Sequence, residues 1–99
     1  MEYKNGYILL EQKEVDFLSF MLFNDKIDAR YEAQEYIGAL MESQALFQAE
    51  KERYTSMNDR GAREAVIVEL IDVTIASCDH FMEMGRRAAR EAGTSIEFH

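Results

Sequence analysis

The sequence predicts an all-α protein, an antiparallel helical bundle of about four helices completed by oligomerisation. Three observations carry this. The 99 residues contain no proline. Apolar side chains recur at steps of three and four over long stretches. One segment, EAVIVELIDVTIASC (64–78), is apolar on too much of its circumference to be covered within so small a domain. With 47% apolar and 11% aromatic residues, the chain, 1–99, is one domain's worth. Its five glycines are scattered, and no repeat or low-complexity segment marks a boundary.

Residues 1–10, MEYKNGYILL, are ambiguous in pattern and read as an arm that packs on a partner. EQKEVDFLSFMLFND (11–25) gives a first helix, with Val15, Leu18, Leu22 and Phe23 at helical spacing and Asn24 and Asp25 as the stop. Asp28 caps a second helix running to about Tyr54, whose apolar stripe is Tyr31, Ile37, Leu40, Met41, Ala45 and Phe47. TSMNDRG (55–61) collects turn formers and reverses the chain, making helices two and three antiparallel neighbours. Helix three starts near Ala62 and runs to about Gly85. Its β-branched residues would also suit a strand, but polar residues at 69, 72, 79 and 83 follow steps near three and four. On a strand Glu69 and Asp72 would point to opposite faces. RRAAREAG adds a turn or two ended by Gly93, and 94–99 form a loose tail.

A net charge of −8 disfavours direct contact with nucleic acid, which needs clustered Lys and Arg, and is compatible with cations or basic proteins as partners. The single cysteine, Cys78, has no internal disulfide partner and fits a reducing cytoplasm. FLSFMLF (17–23) is far too short to span a membrane, and the amino-terminal segment lacks the features of a signal peptide.

The chemistry centres on Glu69 and Asp72. A carboxylate among Val, Ile and Leu costs several kcal/mol unless it reaches water, a cation or hydrogen-bond donors. Either the two acids form the narrow wet edge of a mostly buried helix, or they share a metal ion. Magnesium is the natural candidate for an oxygen-ligand site. No Cys/His pattern for zinc and no glycine-rich phosphate loop is present. His80 beside Asp79 reads as a surface histidine in preference to a proton relay.

REAVIVELIDVTIASCDHFMEMG (63–85) resembles the third helix of the all-α nucleoside triphosphate pyrophosphohydrolases, the MazG-like group with its dimeric dUTPase relatives. The match is ELIDV, the family's ExxD, set in a long apolar helix and followed by a mixed acidic stretch and a glycine. The resemblance implies a helical homodimer or homotetramer that uses Mg²⁺ to split a nucleoside triphosphate into a monophosphate and pyrophosphate, with Glu69 and Asp72 as metal ligands. The partner motif, ExxE, is broken. In ALMESQAL (39–46) its acid positions fall on Met41 and Gln44, or, shifted by one, on Glu42 and Ala45. An intact ExxE at Glu32 and Glu35 lies roughly 15 Å further along the axis, because reflection about the middle of the turn sets Glu69 and Asp72 opposite residues near 47 and 44.

The candidate catalytic acids are therefore Glu42, Glu69 and Asp72, and the candidate magnesium ligands are these three with the carbonyl oxygen of Gln44. The damaged motif leaves such activity weakened or lost. Lys51, Arg53, Arg60 and Arg63 would grip phosphate or serve as ordinary surface cations. Tyr36, Phe47 and Tyr54 would stack on a base or belong to the core. The alternative is a non-catalytic, small acidic helical protein that binds a basic protein partner.

Overall fold

The computed structural model describes residues 1–56 and 61–96. The reversal read at TSMNDRG, with Arg60, falls mostly outside these residues, as do the last three positions of the 94–99 tail. The chain is mostly helical, but its amino-terminal tenth, read as an arm that packs on a partner, packs on the chain's own core. β1 (Glu2–Lys4) and β2 (Tyr7–Leu9) form a hairpin, and β3 (Arg30–Glu32) adds antiparallel to β2, giving a sheet of order β1-β2-β3. Three helices follow the same chain order: α1 (Gln12–Leu22), α2 (Ala33–Thr55) and α3 (Ala62–Glu91). The expectation of an all-α bundle of about four helices is thus corrected to three helices and a small sheet among the described residues.

The hairpin has a local cause. Asn5 (φ 53°) and Gly6 (φ 85°) both take positive φ, the conformation of a two-residue type I′ turn, whose twist matches that of the flanking strands. Three-residue strands are too short to stand alone. Tertiary contacts hold them: Ile8, paired with Tyr3 on one side and Tyr31 on the other, is 0% exposed, and Leu10 N–H donates to the Ala29 carbonyl at 2.8 Å. Pairing with β2 also displaces the expected Asp28 cap. Residues 30–32 are strand, and α2 begins at Ala33, whose N–H donates to the Gly6 carbonyl at 2.9 Å.

α1 begins at a carboxylate that serves two donors. Glu14, almost fully buried, accepts the Glu11 backbone N–H at 2.9 Å and faces the Met1 ammonium at 2.8 Å. The helix buries Leu18 and Met21. Phe23, expected on the apolar stripe, sits instead in the left-handed C-cap (φ 52°) with its ring exposed. α3 runs through Gly85 and ends at the expected glycine: Gly93 (φ 84°) lets Thr94 N–H reach the Ala89 carbonyl at 3.0 Å.

The core lies where the sheet, α1, the first half of α2 and the second half of α3 meet, with Ile8, Ile37 and Cys78 fully buried. Beyond it α2 and α3 continue as a two-helix hairpin. Their register is fixed in the core: Tyr36, 3% exposed, lies against Gly85, and its hydroxyl donates to the Phe81 carbonyl at 3.3 Å. A Cβ at Gly85 would stand 3.2 Å from Tyr36 Cε1 and 3.7 Å from Ile37 Cδ1. Gly85→Val is therefore expected to cost about 2–3 kcal/mol in urea denaturation, overpacking outweighing its gain over glycine in helix propensity.

Candidate functional site

Glu69 and Asp72 project from α3 one turn apart, and both are exposed to solvent. The surroundings inferred from sequence are not those of the folded chain. Of EAVIVELIDVTIASC only Ile71 and Cys78 are buried, while Val66 (54% exposed), Leu70 (62%) and Val73 (63%) are open. The acids keep their hydration because α3 outruns the core and is flanked there chiefly by α2. The two acids are therefore not the narrow wet edge of a mostly buried helix: in the single chain this part of α3 is itself largely open.

A cation does stand beside them, and it belongs to the protein. Lys51 on α2 places Nζ 2.6 Å from Asp72 Oδ1, with the two side chains 32% and 49% exposed. At that exposure the pair contributes on the order of 0.2–1 kcal/mol. It also shows that Asp72 reaches toward residue 51, and not toward residue 44, where simple reflection of the turn sets it. Gln44 is committed elsewhere: its Nε2 donates to Asp79 Oδ1 at 2.7 Å and to the Ile75 carbonyl at 3.2 Å. Glu42 is exposed and lies nine residues before Lys51, roughly 13 Å along the axis. The chain folded alone does not bring Glu42 and Gln44 to Glu69 and Asp72. Among the described residues no three His, Cys, Asp or Glu side chains stand close enough together to hold a metal ion. The contacts of Tyr36 with Gly85 and Phe81 and of Gln44 with Ile75 and Asp79 hold the two helices in this register.

The other sequence candidates are dispersed. Glu32 and Glu35 are exposed at the start of α2. Arg53 donates to Glu50 at 2.9 Å and lies 4.9 Å from the Tyr54 ring centroid. The Glu50 hydrogen bond, with that carboxylate's charge, holds its guanidinium above the usual value. Arg63 is exposed. Tyr36 belongs to the core and Tyr54 is half-buried. His80 is exposed and meets the Phe81 ring edge-on, with centroids 5.8 Å apart.

A different feature of the surface is apolar. Between α1 and α3 runs an apolar groove of about 520 Å³, walled by Phe17, Phe20 and Phe23 on one side and Ile67, Leu70, Ile71 and Val73 on the other, with Phe47 from α2. Phe20 is 77% exposed and Phe23 86%. Phe17 leans on Phe81 with centroids 5.4 Å apart, which joins the groove to the core. The sequence carries a signal for it: FLSFMLF sets three phenylalanines three residues apart, alongside the Leu18 and Met21 that serve the core.

No family model, curated protein or solved structure matches the chain. No described helix is long and apolar enough to cross a membrane.

Proposed function

We propose that this chain acts by association and not by catalysis, as an acidic, self-associating helical protein whose Glu-rich outer faces suit a basic protein surface. The observation that carries the non-catalytic reading is the Lys51 ammonium on Asp72. It supplies positive charge where the resemblance to MazG-like pyrophosphohydrolases calls for a metal. A donor set of two exposed acids and a lysine does not fit magnesium, which takes oxygen ligands and is repelled by an ammonium. The charge of −8 supports a basic partner, drawn by long-range attraction that salt weakens.

Incubation with a panel of nucleoside triphosphates and Mg²⁺ is expected to release no pyrophosphate. Magnesium is likewise expected to leave the melting temperature unchanged, whereas a site filled at a hundred times its dissociation constant would add about 2.7 kcal/mol. One observation favours the enzyme reading: Glu69 and Asp72 remain open to solvent a turn apart. Pyrophosphate release that disappears in the paired change Glu69→Gln with Asp72→Asn would install it in place of the first.

A further inference from the structure

The geometry points to a second copy of this chain as the occupant of the groove between α1 and α3. In the two-fold pair we propose, α3 packs on its counterpart through Val66, Leu70 and Val73, and Phe20 and Phe23 of each copy enter the groove of the other. This rests on the reading that the chain acts by association and names the surface it uses.

Four features select this occupant. First, the groove and the side chains able to fill one lie on the same face, as a self-complementary two-fold contact requires. Phe23 is held outward by a left-handed backbone (φ 52°) that L side chains rarely adopt. Second, the spacing of Val66, Leu70 and Val73, four residues then three, is that of a helix–helix seam. Third, no charged side chain lines the groove. Two copies that each carry −8 meet at least electrostatic cost through an uncharged face, whereas a basic partner is drawn to the acidic faces instead. Fourth, the exposed parts of Phe17, Phe20, Phe23, Val66, Leu70 and Val73 amount to roughly 700 Å². That approaches the 800 Å² or so that each partner gives to an interface of standard size, and exceeds the largest apolar patch of a typical monomer.

Sedimentation velocity of the full chain at about 10 µM is expected to give twice the 11.5 kDa chain mass. Leu70→Glu combined with Val73→Glu places two charges in the seam and is expected to weaken association at least about a hundredfold. The control Glu52→Lys, at an exposed position outside the groove, is expected to leave it unchanged. Far-UV circular dichroism reports whether the variants stay helical. If the double variant unfolds, Phe20→Asp, at a side chain 77% exposed, asks the same question. A monomeric wild type overturns the proposal, including one that floats with lipid vesicles instead of pairing. So does a dimer that persists in a folded groove variant. Pyrophosphate release by a groove-dependent dimer would leave this interface standing and overturn only the non-catalytic reading.

Discussion

Ile37→Ala is expected to lower stability by about 4 kcal/mol, a large share of the 5–15 kcal/mol available to a small domain. Ile37 is 0% exposed and belongs to the cluster that holds Ile8, Leu40, Cys78 and Phe81. Its Cδ1 also comes close to Gly85, at the point that fixes the α2–α3 register. Truncation removes buried methyl groups and leaves a cavity between elements that cannot close on it without moving the Tyr36–Gly85 contact. Leu46→Ala is the matched control: 70% exposed in the single chain, it is expected to change stability by no more than about 0.5 kcal/mol. Urea midpoints at one fixed protein concentration decide the comparison, because association makes apparent stability concentration-dependent. Equal losses at the two positions would mean that the core does not lie where the sheet meets the helices.

Stability is expected to fall steeply in alkali, with Tyr36 as the principal cause. Burial, and then the charge of Glu14, hold its phenol well above the usual value of 10. Burial, and then Asp79, push the Cys78 thiol up from 9. For both groups the folded state favours the neutral form. Their contributions are therefore fully present below the unfolded-state values of 9 and 10 and are lost as pH rises above them, when the unfolded chain ionises first. Tyr36 alone gives a slope approaching about 1.4 kcal/mol per pH unit above pH 10. Tyr36→Phe forfeits the hydrogen bond to the Phe81 carbonyl, about 1 kcal/mol at neutral pH. It should flatten the alkaline limb in a series of urea midpoints. A variant that loses stability in parallel with wild type would assign the alkaline transition to other groups. The same burial makes Cys78 slow toward thiol reagents in the native state and fast once urea unfolds the chain.

Local signals account for what was legible in the sequence. The three helices follow from apolar periodicity without proline, and Gly93 ends α3 because only glycine enters the left-handed region there without strain. The hairpin was equally local, since Asn5-Gly6 is a strong short-range turn signal. It was obscured because strands of three residues show too little alternation to declare themselves. The excess of apolar surface on 64–78 was also written in the sequence, and it reappears as the open side of the groove.

The sequence by itself determined the bodies of the three helices, where α3 stops and that the chain carries more apolar surface than it can cover alone, because side-chain period and capping act over one or two turns, but not where α2 begins. Only the tertiary structure decided that Glu69 and Asp72 meet water and Lys51 instead of Glu42 and Gln44. That choice depends on which side chains fit against each other across fifty residues. The Tyr36 ring fits over the bare face of Gly85 and Gln44 bonds across to Ile75 and Asp79, and the register such contacts set between the two helices is one that no spacing within either helix records.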